Sequence, residues 1–393
     1  MRVWAAGLVL ASLMAGTAFG ADKSPAPEAA PLLTPPGVIL NGTRTGVVYA
    51  TAKGLSLYTF DMDKEPGKSA CGAGECIDNW PALKAPDDAK PSGDWSVITR
   101  DDGSKQWALG GKPLYTFVKD TKLGDVNGNG VANLWKLATY RPGAGLAMPD
   151  GIKAADVANA GGATLVDQRG ITLYFFDGDL KADRVTCAGP CVNPWVPLPA
   201  AELANPVGDF QVISRPDGTK QWSYKGKPLY TYAGDLNPND VNGFGVDKNW
   251  RPALLARAFV PAEVQVRHDP DRGVILTNAQ GKTLYLRDRF RYGVGGHNTP
   301  NSTPIPQLGR AMGTKTCDAE CAKEWPPLLA PDNAEPSGLW GIAERDDKTK
   351  QWAYNGYPLY AYTGDNKPGD TLGHDRFTYT DGANALYWRT ARP

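Results

Sequence analysis

Histidine is scarce in this chain: His268, His297 and His374 are the three in 393 residues. They stand apart in the last third, with no spacing that points to a shared base. A zinc site built on a cysteine pair needs two further ligands, which so few histidines do not supply. An excess of one charge is missing too. Lys plus Arg and Asp plus Glu each total 42, so no global field draws the chain to nucleic acid or anionic lipid. Beyond the first twenty residues no apolar run reaches the ~18 residues of a spanning helix, so no transmembrane span is expected. No GxSxG, no HExxH and no glycine loop ending in Lys-Ser/Thr occurs, and the sequence names no catalytic residue. Carboxylate pairs such as Asp61/Asp63 and Asp101/Asp102 fall in turns, where aspartate is at home without chemistry.

What the chain has in quantity is glycine (45), proline (33), tyrosine (16) and tryptophan (12). That turn load suits short strands better than long helices. Residues 1–20 read as a signal peptide, with Arg2 ahead of an apolar core and Ala18-Phe19-Gly20 as a small-residue cleavage site. Residues 21–36 read as a Pro/Ala-rich tether. No cysteine precedes Cys71, so a lipid-attachment cysteine is lacking. The expectation is a periplasmic or secreted protein that is not lipid-anchored.

The rest is repetition. KQWALGGKPLYTFVKD at 105–120 returns as KQWSYKGKPLYTYAGD at 220–235 and as KQWAYNGYPLYAYTGD at 350–365. Repetition of this strictness marks a tandem array. The reading is three repeats, at 37–142, 155–258 and 261–393. Each repeat is itself a doublet sharing the pattern Leu-Tyr-x-aromatic-x-x-Asp. Its members are Tyr58/Phe60/Asp63, Tyr115/Phe117/Asp120, Tyr174/Phe176/Asp179, Tyr230/Tyr232/Asp235 and Tyr360/Tyr362/Asp365. The fifth half breaks the rule, since Tyr285 runs into Leu286-Arg287-Asp288-Arg289-Phe290, next to an insertion at 288–313.

On these motifs the chain resembles the bacterial secreted-repeat family, predicted lipoproteins and periplasmic proteins with a Yx(FWY)xxD motif. The resemblance covers nearly the whole chain after the signal, and it implies no established activity. This chain departs from the family pattern in lacking the lipobox cysteine and in its degraded fifth motif.

β-branched and aromatic residues alternate between Gly-bearing turns, as in Asp102-Gly103 and Gly110-Gly111, which predicts antiparallel hairpins. The fold expected is all-β: three tandem repeats, each of two antiparallel strand meanders with a short disulfide loop. A six-bladed propeller-like ring is the alternative, because a half-repeat approaches blade length. One cysteine pair per repeat, Cys71/Cys76, Cys187/Cys191 and Cys317/Cys321, reads as three local disulfides in an oxidising compartment. Each closes a small loop and stabilises by roughly 2 kcal/mol on the chain-entropy model. The alternatives are a labile redox pair or a metal site.

Two further groups invite a ligand. Asp125, Asn127 and Asn129 open like an oxygen-ligand calcium loop, but its twelfth position is Lys136 instead of the bidentate glutamate. Arg287, Arg289, Arg291, His297 and Arg310 crowd the insertion and its edges, a candidate binding loop for an anion or acidic partner. On a strand, Tyr58 and Phe60 share a face, and the aromatic rows serve either as core or as a stacking platform. The function read from all this is a non-enzymatic binding or interaction protein of unknown ligand or envelope partner. No cofactor is expected beyond the calcium candidate. The alternatives are an envelope redox or metal-handling accessory and a hydrolase on envelope polymers.

Overall fold

The computed structural model describes residues 30–43, 45–182, 184–244, 246, 249–269, 271–291, 317–381 and 384–393. Residues 1–29, which include the expected signal peptide, and most of the insertion lie outside these residues. Almost all regular structure is short antiparallel strand, as the turn-rich composition dictates. Each repeat opens with a hairpin: Val38–Thr43 with Gly46–Thr51, Ile152–Val157 with Gly162–Asp167, and Val264–Asp269 with Gly273–Asn278. A second hairpin carries the KQW sequence: Trp95–Thr99 with Lys105–Leu109, Phe210–Ser214 with Lys220–Tyr224, and Trp340–Glu344 with Lys350–Tyr354. The tight turn that follows explains one feature of the sequence. Lys225 and Asn355 adopt φ of 48° and 49° where repeat one has Gly110 at 56°, and a glycine follows in each case, as a two-residue hairpin turn demands.

The two halves of a repeat do not fold as separate meanders. They cross-pair through their motif tyrosines: Tyr58 bridges Tyr115, Tyr174 pairs with Tyr230, and Tyr285 bridges Tyr360. In repeat two this gives one four-stranded sheet in the order Trp195–Pro197, Tyr230–Tyr232, Leu173–Phe176, Trp250–Pro252. Strands from the two halves thus interleave, which an array of independent half-repeat blades does not allow. Among the described residues the sheets have two to four strands, and none closes into a barrel or propeller. The propeller-like alternative is therefore set aside.

Every repeat has two cores. The upper one packs the hairpin tryptophans with aliphatic residues, as Trp95 and Trp107 do with Val38, Leu57 and Leu114. The lower one is aromatic and contains the first cysteine of each pair, Cys71, Cys187 or Cys317. All three predicted disulfides are present, Cys71–Cys76, Cys187–Cys191 and Cys317–Cys321.

The repeats also touch. Val274 of the third joins Val157, Val166 and Val241 of the second in a small core. Tyr140 donates a hydrogen bond to Asp156 across the first junction. The chain start closes the set. Gly37 N–H donates to Pro336 O at 3.0 Å, Leu40 N–H to Gly338 O at 3.0 Å, and Gly338 N–H to Val38 O at 3.1 Å.

Candidate functional site

The family motif is the natural first place to look, and its geometry is reciprocal. Tyr58 Oη donates to Asp120 Oδ2 at 2.6 Å, while Tyr115 Oη donates to Asp63 Oδ2 at 2.9 Å. Repeat two does the same, with Tyr174 to Asp235 and Tyr230 to Asp179, both at 2.6 Å. Each aspartate therefore serves the tyrosine of the other half. Its second oxygen holds a loop. Asp120, Asp235 and Asp365 accept the backbone N–H of Asn127, Asn242 and Leu372. Asp63 accepts Ala70 N–H, and Asp179 accepts Thr186 N–H and Oγ1 at the entry to the disulfide loop. Asp63, which the sequence places in a turn, thus serves both Ala70 and Tyr115.

Burial pushes the Tyr58, Tyr174 and Tyr285 hydroxyls above their ordinary range, and the facing carboxylates push them further. Burial also raises Asp63, Asp235 and Asp365, while hydrogen bonds from tyrosine and backbone pull them back. The tyrosines stay protonated at neutral pH, and each described pair has its polar atoms engaged. The motif holds the fold together.

Beneath it lies a stack of rings. Trp80 and Trp135 are parallel at 3.7 Å, with Phe117 on one outer face at 4.2 Å and Phe60 on the other at 4.3 Å. Trp195 and Trp250 repeat this at 3.7 Å between Tyr232 and Phe176. In repeat three Trp325 and Trp388 are 3.8 Å apart with Tyr362 on one face. The place of the second outer ring, two residues after the motif tyrosine, belongs to Arg287, whose guanidinium lies 5.5 Å from the Trp388 ring centre. The motif aromatics are therefore packing, with no open platform of successive faces.

The glycine loops close over these stacks. A Cβ at Gly128, Gly243 or Gly373 would stand 2.6–3.0 Å from the edges of the Trp and Tyr below. Their φ values lie outside the left-handed region, so space alone requires glycine. Gly243→Ala is expected to cost about 1–3 kcal/mol by overpacking against Trp195 and Tyr174. Urea unfolding checks it, and a loss within error of zero would show that the loop yields freely.

A second buried pair escaped the sequence reading. Arg100, Arg215 and Arg345 are 8, 5 and 8 % exposed, and each donates to a buried glutamine: Gln106 at 2.5 Å, Gln221 at 2.5 Å and Gln351 at 3.0 Å. Arg100 and Arg215 also donate to the carbonyls of Cys71 and Cys187, both at 2.6 Å. The signal was there as Arg-x-Asp-x-Ser/Thr-Lys-Gln in all three repeats. Arginine is rarely so buried, which hid it.

The calcium candidate is drawn into backbone capping. Asp125 accepts Thr121 and Lys122 N–H at 2.9 and 2.8 Å, Asn129 accepts Leu137 N–H, and Asn127 donates to Lys119 O. Asp240 and Asp370 cap the matching turns in the same way. Among the described residues no group of three or more His, Cys, Asp or Glu is placed to hold a metal ion. Of the candidate binding loop, Arg287 sits on the third ring stack. Arg289 and Arg291 continue its strand, Tyr285–Arg291, as backbone, and His297 and Arg310 lie outside the described residues.

One recess is announced by no motif. Two adjoining hollows of about 540 and 750 Å³ run between repeats one and two and share Pro31, Leu32, Tyr224, Lys225 and Leu255. The tether docks there along Leu254–Arg257, with Leu33 N–H donating to Arg257 O and Arg257 N–H to Pro31 O, both at 2.8 Å. The charged side chains lining the two hollows are Arg141, Lys225, Lys227, Arg251 and Arg257 against Asp94 and Asp209. Arg251 is paired with Asp177 at 2.5 Å, and Lys225 lies 3.7 Å from Asp209. Lys225 stands where the other repeats have Gly110 and Asn355. Residues from so many segments meet here that sequence spacing carries no sign of the cleft.

No helix among the described residues is long and apolar enough to cross a membrane. A family model described as a secreted repeat of unknown function matches residues 43–84, 96–139, 157–198, 211–254 and 341–377. These are five of the six half-repeats and more than half of the chain. The half without a match is the fifth, where the motif is broken after Tyr285. No curated protein and no solved structure matches the chain. Its period, its motif and these five matches agree: the chain belongs to the family of secreted repeats of unknown function.

Proposed function

We propose that the chain is a non-enzymatic binding or interaction protein of the periplasm or extracellular space, and that it binds through the cleft between repeats one and two. The observation that carries this is local charge. In a chain with 42 basic and 42 acidic side chains, the described residues lining this cleft include five cations and two carboxylates, Arg251 being paired with Asp177. The repeated polar residues point the same way by elimination, since the Tyr–Asp and Arg–Gln pairs are occupied in internal support. Three disulfides fit an oxidising compartment. An acidic, extended ligand suits the site, because the tether already pairs there with Arg257 through Leu32 and Tyr224 and Phe175 add apolar faces beside Lys225 and Lys227.

The test is fluorescence anisotropy with a labelled deca-glutamate peptide and a neutral deca-glutamine control. Binding to the acidic probe alone, weakened by added salt and at least tenfold by Lys225→Glu/Lys227→Glu, is the expected result. Equal affinity of the double variant, or no binding by the wild type, would overturn the reading.

A further inference from the structure

Repeat two leaves open a place that repeat three fills with a side chain of its own. Both enter their first hairpin through the same turn, in which Ile152 or Val264 N–H donates to the carbonyl of Pro149 or Pro261. In repeat three the residue before the strand is Glu263, whose Oε2 accepts the indole N–H of Trp352 at 3.1 Å. In repeat two that residue is Gly151, and a Cβ built on it would meet nothing within 4 Å. A hollow of about 340 Å³ lies there instead, lined by Gly151 and by Trp222, the counterpart of Trp352. Trp222 is 7 % exposed, and its indole N–H donates to no described residue. A buried tryptophan N–H usually has a partner.

The other polar groups of the hollow say what kind of partner fits. The Trp222 N–H only donates and the Asp150 carboxylate only accepts, while the Gln168 amide and the Thr231 hydroxyl do both. The side chains of Asp150, Gln168 and Thr231 bond to no described residue, and the first two are exposed. Arg169 is already gripped by Asp167, with two of its nitrogens each 2.9 Å from Oδ2. The carboxylate left without an ion pair among the described residues is therefore Asp150. Its charge repels an anion, and an ammonium group has no acceptor to offer the indole. A hydroxyl donates and accepts at once, so a neutral polyol answers both Trp222 and Asp150. The walls between them are apolar, with Ile152, Pro197, Leu198 and Pro199, and suit the C–H faces of a sugar ring. The volume stands at the low end of the ~300–1,000 Å³ of small-molecule pockets, which fits a short saccharide.

We propose that repeat two binds a neutral saccharide in this hollow, with the Trp222 N–H donating to one hydroxyl and Asp150 accepting from another. The hollow shares no lining residue with the cleft between repeats one and two, so either reading can fail alone.

The experiment is heteronuclear NMR of the indole N–H groups of the full mature chain, one cross-peak per tryptophan. The neutral probes are maltose, cellobiose and diacetylchitobiose, and sodium glucuronate is the anionic one. Trp222→Phe identifies the Trp222 peak by its loss. A saturable shift of that peak with at least one neutral disaccharide is expected, with the Trp352 peak unmoved and glucuronate weaker. Asp150→Ala changes an exposed side chain, so it is expected to fold, and an otherwise unchanged spectrum confirms that. It weakens the binding about tenfold or more, as loss of a hydrogen bond to a charged group does. No shift of the Trp222 peak with any neutral probe, tighter binding of glucuronate than of all three, or equal affinity in Asp150→Ala would overturn the proposal.

Discussion

Trp195→Ala lowers the unfolding free energy by about 3–5 kcal/mol, the range for deleting a large buried ring. Trp195 is 3 % exposed and lies between two rings, Trp250 at 3.7 Å and Tyr232 at 4.6 Å, with Tyr174 edge-on at 5.3 Å. Each ring pair is worth about 0.5–1.5 kcal/mol beyond area burial, and the substitution removes three at once. The loop bearing Gly243 rests on the Trp195 edge, so collapse into the cavity also disturbs that loop. Chemical denaturation followed by far-UV circular dichroism measures the loss. The comparison is Leu203→Ala, 89 % exposed, which is expected to change stability by less than about 0.5 kcal/mol. A Trp195→Ala loss as small as that of Leu203→Ala would mean the stack is ornament to a fold held elsewhere.

Asp235→Ala is expected to cost about 2–3 kcal/mol, since it strips an ionised acceptor from two donors, one of them buried. Those donors are the Tyr174 hydroxyl at 2.6 Å and Asn242 N–H at 2.7 Å. Asp235→Asn keeps an oxygen acceptor and isolates the charge. Burial raises the carboxyl of Asp235 in the fold, against the pull of Tyr174 and Asn242. A folded value above the unfolded one means that the native state binds more protons in the interval between them. Its stabilising share is therefore present below the unfolded value and is lost as pH rises through the folded one. The difference between wild type and Asp235→Asn must shift in favour of the asparagine variant on going from acid to neutral pH. Urea midpoints at several pH values test the sign, and a shift in the opposite direction would show that hydrogen bonding outweighs burial at this carboxyl.

The sequence made the period, the hairpins, the disulfide loops and the Tyr-x-aromatic-x-x-Asp units plain, because each is local. Asp102-Gly103 and Gly110-Gly111 need only their own turns to be understood. The pairing of Tyr58 with Asp120 was not legible, since the two stand 62 residues apart and each has a nearer motif partner that it does not use. Spacing within one half offered Asp63 to the turn beside it, and only the crossing of the two halves shows that it also serves Tyr115. The calcium reading of Asp125, Asn127 and Asn129 met the usual ambiguity of these residues, whose side chains cap backbone N–H groups as readily as they bind ions. Lys225 and Lys227 gave no signal at all, because their neighbours in the cleft come from the tether and from the ends of both repeats. The break after Tyr285 was visible as a lost motif. That the chain runs on there as a strand to Arg291, paired with Asn384–Thr390, required the fold.

The backbone bonds between Val38–Leu40 and Pro336–Gly338 set a clock on this molecule. Thr34 and Ser337 meet across 303 residues of sequence, so the first strand gains its outer partner only after nearly the whole chain has been made. At ~5–20 residues per second of synthesis that delay is roughly 15–60 s. Until then Gly37 and Leu40 present bare N–H groups on an unpaired edge, the kind of surface that invites pairing with another chain. Repeats one and two can gather their own rings and disulfides during the wait. The completed first strand is thus a product of the last third of the chain.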